Sequence, residues 1–85
     1  MLNITFTPSA YLEYLGWLET DKRIFLKLTH LIQETARTPM VGSGRPELLK
    51  YELKGYWSRR INHEHRLVYS FDEQALRIIS CKYHY

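Results

Sequence analysis

The sequence predicts an α+β fold, with the element order βααββββ and an N-terminal helical hairpin packed on one face of an antiparallel sheet. Polar and apolar residues alternate over Asn3–Thr7, as in a half-buried strand. Apolar residues then recur at helical spacing up to Ala36, and from Leu48 onward their spacing is close to period two. Two helices with almost no connection between them need a sheet to cover their common apolar face.

Two helices are predicted after the first strand. Thr7 is a suitable N-cap, and Pro8 follows it at the first helical position, where the missing amide hydrogen costs nothing. The first helix should therefore run from Pro8 to Glu19. Asp21 provides a second cap with a negative charge at the positive end of a helix dipole, and the apolar periodicity predicts that this helix continues to Ala36.

A loop is predicted over residues 38–46, which contain two prolines and two glycines. Glu47 and Lys50 lie at its exit. Loops held by rigid elements often carry functional groups, so these two side chains are candidates for a site.

Four short strands are predicted after the loop, because turn signals divide this part of the chain. The predicted strands are Leu49–Leu53, Tyr56–Ile61, His65–Phe71 and Leu76–Tyr83. Short connections favour an antiparallel meander, and the first strand is expected to join the same sheet. The sequence does not assign which face of the sheet packs against the helices, since the third and fourth of these strands have apolar residues at both alternating positions.

The composition indicates one globular domain of 85 residues, with 45% hydrophobic and 25% charged residues. No apolar run is long enough to span a bilayer, and the N-terminus lacks the basic and apolar segments of a secretory signal. We therefore expect no membrane association and a cytoplasmic location. The single cysteine, Cys81, is expected to be a small core residue.

The net charge of +3 comes entirely from residues 45–85, which carry eight basic and five acidic side chains. A basic half of a domain attracts polyanions such as nucleic acids. An excess of this size is equally typical of a solvated basic surface, so charge alone does not decide between the two.

The last third of the chain, Tyr56–Tyr85, combines basic groups, aromatic rings and histidines, which together suggest a phosphate-bearing ligand. If its strands are neighbours, Arg59, Arg66 and His84 can converge, and Glu47 can enter from the loop. A carboxylate, an imidazole and a guanidinium are the groups needed for metal-free cleavage of RNA. The carboxylate removes the 2'-hydroxyl proton, the imidazolium protonates the leaving 5'-oxygen, and the guanidinium stabilises the phosphoryl oxygens.

A zinc site is an alternative use of some of these residues. His63, His65, Cys81 and His84 supply four potential ligands, and residues two apart on a strand share a face. Their spacing is not a familiar zinc signature, and burial of Cys81 in a strand explains it equally well.

Six short motifs follow one another in register along essentially the whole chain. They are WLETDKRI at Trp17–Ile24, RTP at Arg37–Pro39, GSGRPELLK at Gly42–Lys50, GYWSRRI at Gly55–Ile61, EHRLVY at Glu64–Tyr69 and the terminal CKYHY at Cys81–Tyr85. This set resembles the YoeB/Txe family of bacterial toxins, within the wider RelE-like group. The resemblance implies a compact microbial-ribonuclease-like fold and a ribosome-dependent endonuclease that cuts mRNA in the A site without a metal or other cofactor.

The resemblance also implies roles for single residues. Glu47 resembles the general base, His84 the general acid, and Arg66 the group that stabilises the phosphate.

Three further residues match positions that contact the substrate in the family. Tyr85 resembles a terminal tyrosine that orients or stacks on the RNA, and Lys50 and Arg59 match basic positions near its backbone. Leu48 departs from the family pattern, because relatives often have proline after the glutamate.

The partners that the resemblance implies are a cognate YefM/Axe-like antitoxin, the ribosome with its mRNA, and operator DNA indirectly through the antitoxin complex. The sequence does not decide whether the protein forms a homodimer. The alternative function is a non-catalytic basic module that binds RNA or protein. Such a module needs the arginines but not the acid–base pair of Glu47 and His84.

Overall fold

Two helices lie against one face of a five-stranded sheet in the computed structural model, which describes residues 1–84. The elements are β1 Asn3–Phe6, α1 Pro8–Thr20, α2 Lys22–Arg37, β2 Glu47–Leu48, a 3₁₀ turn at Tyr51–Leu53, β3 Trp57–Arg60, β4 Arg66–Phe71 and β5 Ala75–Ser80. This arrangement confirms the predicted α+β class and the helical hairpin.

The sheet has the strand order β1-β5-β4-β3-β2 and is mixed. The strands from β2 to β5 form the predicted antiparallel meander, but β1 pairs with β5 in parallel. A parallel neighbour requires a long crossover connection, and the whole of the chain between β1 and β5 supplies it. The first strand therefore joins the same sheet, as expected, at the edge farthest from β2.

Both helices begin at the predicted caps. The Thr7 hydroxyl accepts a hydrogen bond from the Ala10 amide at 3.2 Å, and Pro8 occupies the first turn. The Asp21 carboxylate accepts from the amides of Arg23 and Ile24 at 3.1 and 3.3 Å. These bonds satisfy amides that have no partner within the helix.

The predicted strand at Leu49–Leu53 is wrong. Pairing with β3 is limited to Glu47 and Leu48, and the chain then turns at Tyr51, whose φ is +58°. A left-handed backbone interrupts an extended strand, so the apolar alternation here does not continue a ladder. Leu49 is nevertheless buried, whereas the Tyr51 side chain is exposed.

The last strand is shorter than predicted, because β5 ends at Ser80 instead of Tyr83. The register between β4 and β5 shifts between Val68 and Tyr69, and Tyr83 has a φ of +62°. The segment of residues 81–84 therefore leaves the sheet.

The two faces of the sheet differ in character. Leu67, Tyr69, Leu76 and Ile78 are fully buried in the cluster that includes the helix residues. Alternation along β4 places Arg66 on the opposite face from Leu67 and Tyr69. The helices thus cover one face of the sheet, and the face that carries Arg66 is available for a site.

Within residues 1–84, the structure has no helix that is both long enough and apolar enough to cross a membrane.

Substitution of Gly16 by alanine should stabilise the protein. Gly16 lies within α1, and an added Cβ would meet no atom within 4 Å. Because glycine in a helix costs about 0.5 to 1 kcal/mol relative to alanine, the free energy of unfolding should rise by about that amount. Urea denaturation measures the change.

Gly55→Ala is the matched control, since it also places a Cβ in open space but at a φ of +96°. Backbone strain alone should make this variant less stable than the wild type. A loss of stability in Gly16→Ala would contradict the prediction.

Candidate active site

A groove of about 630 Å³ lies where β3, β4 and the C-terminal segment meet. It is lined by Arg60, His63, Glu64, Arg66 and His84. Two guanidinium groups, two imidazoles and a carboxylate therefore face one cavity. This set of groups suits an anionic ligand whose bonds are broken or formed by proton transfer.

Arg66 is held at both its backbone and its side chain. Its amide donates to the Tyr83 carbonyl at 3.1 Å. One guanidinium nitrogen, Nη1, donates to the carbonyls of Asn62, His63 and His65 at 2.8, 3.3 and 3.1 Å. The residue is 8% exposed. These contacts orient the guanidinium at the groove before any ligand is bound, so little side-chain conformational entropy is lost on binding.

The turn between β3 and β4 supplies the carbonyls that hold Arg66. The Asn62 side-chain oxygen accepts from the amides of Glu64 and His65 at 2.9 and 2.8 Å, which forms an Asx turn. The Ile61 amide donates to the His65 carbonyl at 3.0 Å. Asn62 thereby fixes the turn whose carbonyls hold Arg66 beside the groove.

The C-terminal segment that carries His84 is anchored to α1. The Cys81 amide donates to Glu13 Oε1 at 2.8 Å, and Trp17 Nε1 donates to the Cys81 carbonyl at 3.0 Å. The Lys82 amino group lies 5.5 Å from the centre of the Trp17 ring and 5.1 Å from that of Tyr83. Tertiary contacts with α1 therefore hold this segment in place, and His84 lines the groove.

Cys81 is a fully buried core residue, as predicted. Burial raises the pKa of its thiol to about 12, and the nearby Glu13 carboxylate adds to the effect. A thiol in this state is not a nucleophile near neutral pH.

Glu47 is the first residue of β2 and is exposed. It pairs with Ser58 in β3, which in turn pairs with Val68 in β4. Directly paired residues share a face, so Glu47 lies on the same face as Arg66. Two interstrand spacings, about 10 Å, separate β2 from β4. Glu47 thus stands outside the groove lining, across the open face of β3.

Two further residues were predicted to bind the substrate. Lys50 is exposed, two residues after the end of β2. Tyr85 lies outside the described residues.

Arg59 does not lie in the groove, although it was predicted to converge with Arg66 and to contact the RNA backbone. It is 0% exposed and pairs with Leu67, which places it on the helix face. A guanidinium buried there cannot reach a substrate on the other face of the sheet. The neighbouring residue, Arg60, pairs with Arg66 instead and lines the groove. Period two along β3 shows from the sequence that only one of these two adjacent arginines can point to the site, but it does not show which one.

The Arg59 guanidinium anchors the loop of residues 38–46. Its Nη1 and Nη2 atoms contact carbonyls of that loop, and Nε donates to the Tyr69 hydroxyl at 3.2 Å. The partners of the two terminal nitrogens are Glu34 Oε2 at 3.1 Å, the Ser43 carbonyl at 3.3 Å, the Val41 carbonyl at 2.9 Å and the Thr38 carbonyl. Arg59 therefore determines the path of the loop that leads to Glu47.

Further bonds tie the same loop to the sheet. The Tyr69 hydroxyl donates to the Pro39 carbonyl at 2.6 Å, and the Arg60 amide donates to the Gly44 carbonyl at 2.6 Å. Gly44 has a φ of +81°, and a Cβ there would lie 2.7 Å from the Arg60 carbonyl oxygen. Only glycine allows so close an approach of the two backbones.

The Glu34 carboxylate completes the anchor. It accepts from the Ser43 amide and from Arg59. The Ser43 amide lowers the pKa of Glu34, and the charge of Arg59 lowers it further. Burial raises the pKa of Tyr69 in the same network, against the effect of Arg59.

The alternative zinc site is not assembled among residues 1–84, where no group of three or more histidine, cysteine or acidic side chains is placed to hold a metal. His65 Nδ1 accepts from the Tyr83 amide at 2.8 Å, and Cys81 Sγ lies 3.6 Å from the Ala10 carbonyl. These two residues have structural partners within the fold.

Comparisons with known proteins agree with this fold and with the six motifs. The family described as the YoeB-like toxin of bacterial type II toxin–antitoxin system matches residues 6–85. Toxin YoeB of Escherichia coli K12 is 49% identical over 84 residues, which are 99% of this chain and 100% of the relative.

Two solved structures from Staphylococcus aureus are also similar. One is a YoeB–YefM complex, 48% identical with a TM-score of 0.89, covering 100% of this chain and 99% of that one. The other is a YoeB dimer, 49% identical with a TM-score of 0.90, covering 99% and 98%. The resemblance indicated by the motifs is thereby confirmed.

The loop anchor should weaken in acid. Because the pKa of folded Glu34 is below its ordinary value, the stabilisation is present above about pH 4.3, the usual glutamate pKa, and is lost as the pH falls through the lowered value. Glu34→Gln should therefore show a smaller loss of unfolding free energy between neutral and acidic pH than the wild type. Urea denaturation across this range measures it.

Glu19→Gln, at an exposed position near the end of α1, is the control and should lose stability in acid as the wild type does. Identical acid dependence in Glu34→Gln and the wild type would contradict the assignment.

Proposed function

Because the chain belongs to the family of YoeB-like toxins of bacterial type II toxin–antitoxin systems, we propose that it is an endoribonuclease that cuts mRNA in the A site of the ribosome. The cleavage inhibits translation. The observation that carries the proposal is that Arg66 and His84 line one groove, on the sheet face that also carries Glu47.

The proposed reaction uses three side chains and no metal. Glu47 removes the proton of the 2'-hydroxyl, and the resulting oxygen attacks the adjacent phosphorus. His84, as the imidazolium, protonates the 5'-oxygen as its bond to phosphorus breaks. Arg66 stabilises the negative charge on the phosphoryl oxygens. The products are a 2',3'-cyclic phosphate and a free 5'-hydroxyl, so the atoms and protons balance.

The arrangement of Arg66 supports its role. Its guanidinium is oriented by three carbonyls through a single nitrogen, and electrostatic stabilisation is strongest when the charged group is already in place. In the cleavage step the attacking 2'-oxygen and the leaving 5'-oxygen lie on roughly opposite sides of the phosphorus. The base and the acid must therefore stand apart, and the separation of Glu47 from the groove that His84 lines supports these two roles.

Binding of the RNA backbone falls to the exposed basic residues of this face. We assign this role to Arg60, which lines the groove, and to Lys50, which follows β2. Tyr85 is proposed to stack on a base, since aromatic contacts of this kind are worth about 1 to 3 kcal/mol. Arg59 is removed from this set and acts on the site only through the loop that it anchors.

The partners are proposed from the same family. Relatives from Staphylococcus aureus have been solved as a complex with YefM and as a dimer. We propose a YefM-like antitoxin whose acidic segment covers the basic groove, a homodimer, and contact with operator DNA through the antitoxin complex. Action on translating ribosomes places the protein in the cytoplasm.

Removal of either proton-transfer group should abolish most of the activity. His84→Ala and Glu47→Ala should each lower the rate of mRNA cleavage by about 10² to 10⁴-fold, the usual effect of one acid or base. Primer extension on mRNA from a reconstituted translation reaction measures cleavage, and co-sedimentation measures ribosome binding. Binding should stay close to that of the wild type.

The control is Glu73→Gln, an exposed position between β4 and β5 that should cleave like the wild type. Equal losses of binding and cleavage in the alanine variants would support a non-catalytic binding module instead.

The two adjacent arginines should give opposite results. Arg60→Gln should weaken ribosome-dependent cleavage while leaving the unfolding free energy nearly unchanged, because its side chain is exposed. Arg59→Gln should cost about 3 kcal/mol or more of stability, since it removes a fully buried guanidinium and leaves several loop carbonyls without donors. Urea denaturation and the cleavage assay separate the two.

A stable Arg59→Gln variant would mean that the guanidinium does not anchor the loop. An Arg60→Gln variant with wild-type cleavage would remove Arg60 from the substrate site.

A further inference from the structure

His65 is a buried histidine that the proposed reaction does not use. It is 5% exposed and lies directly before β4, against Trp17 of α1. The Tyr83 amide donates to its Nδ1 at 2.8 Å. The edge of the ring meets Trp17, with centroids 4.7 Å apart, and the Tyr83 ring lies 5.5 Å away.

Tyr83 has an unfavourable backbone conformation that its neighbours maintain. Its φ of +62° is uncommon for a residue with a Cβ. Both of its backbone polar groups are bonded, because the amide donates to His65 and the carbonyl accepts from the Arg66 amide. This conformation sets the direction in which the chain continues to His84, and so brings that residue to the groove.

The ring of His65 is fixed in orientation. Since Nδ1 accepts a hydrogen bond, the proton of the neutral ring lies on Nε2. Nε2 is 3.6 Å from Glu64 Oε1. Contact with Trp17 on one side and with Glu64 at Nε2 leaves Nδ1 directed at the Tyr83 amide.

His65 also contacts the other half of the site. Its carbonyl accepts from Arg66 Nη1 at 3.1 Å and from the Ile61 amide at 3.0 Å. The backbone of this residue therefore holds the Arg66 guanidinium, while its side chain holds the segment that carries His84.

We propose that His65 is a positioning residue, which sets the distance between Arg66 and His84 through its bond to the Tyr83 amide. It touches neither substrate nor reacting atoms. The catalytic consequence rests on the proposed ribonuclease activity, whereas the effect on the C-terminal segment is independent of it.

Two substitutions separate the hydrogen bond from the volume of the ring. In His65→Asn the side-chain oxygen lies near the position of Nδ1 and can accept from the Tyr83 amide. In His65→Gln the amide group reaches toward the position of Nε2 instead. Both variants are uncharged, polar and smaller than the ring, so they differ mainly in whether that acceptor is present.

The first measurement is hydrogen exchange of the Tyr83 amide by NMR, which needs no activity. Exchange should be faster by about tenfold or more in His65→Gln, and close to the wild-type rate in His65→Asn. The Tyr69 amide, in the middle of β4, is the internal reference for global unfolding and should exchange at the same rate in all three proteins.

The second measurement is mRNA cleavage on ribosomes. His65→Gln should lower kcat by about 10²-fold with little change in KM, because misplacement of a catalytic group by about 1 Å has an effect of that size. His65→Asn should recover most of kcat. A purely structural role would not distinguish the two variants in this way.

Several results would overturn the proposal. Unchanged exchange at Tyr83 in His65→Gln would show that the bond does not hold the segment, and equal losses in both variants would show that the ring acts through packing. If His65→Gln does not fold, His65→Asn decides alone, and loss of Tyr83 protection or of kcat in it contradicts the proposal. A wild type that fails to cut mRNA refutes the ribonuclease, while the exchange data still test the contact.

Discussion

The buried guanidinium of Arg59 is the interaction on which the rest of the candidate site depends. A charge that is fully removed from water must be paired and hydrogen-bonded, or the fold loses several kcal/mol. Glu34 supplies the opposite charge, and the carbonyls of the loop supply most of the remaining acceptors. The loop satisfies this demand by following the path that brings three of its carbonyls to the guanidinium. That path ends at β2, so the position of Glu47 follows from the burial of an arginine on the other face of the sheet.

The sheet separates structural from functional groups by alternation alone. Arg59 and Arg60 are adjacent in β3, yet one is buried against the helices and the other lines the groove. In β4 the same alternation places Arg66 at the groove and Leu67 in the core. Because each strand contributes to both faces, the helices can stabilise the domain without occupying the surface that a substrate would approach.

Two of the segments that border the groove are not held by regular strand pairing. One is the turn after β3, where Asn62 arranges the carbonyls around Arg66. The other is the segment after β5, held by Trp17, Glu13 and His65. Side chains of α1, together with His65 just before β4, thus replace strand pairing where the chain turns away from the sheet. A site made in this way depends on packing far from its own surface.

Residues close together in the chain were enough to predict both helices with their caps, the turn-rich loop and the family. Interactions between residues close together in the chain can be inferred from the sequence. The caps at Thr7 and Asp21, the turn-rich loop and the six motifs are all of this kind. Only the folded chain shows which face of the sheet carries the site, that β1 joins in parallel, and that Arg60 rather than Arg59 lines the groove. These outcomes depend on strand register and burial, since both parities of β4 are apolar enough to face a core. They are set by contacts between distant residues, which no local pattern contains.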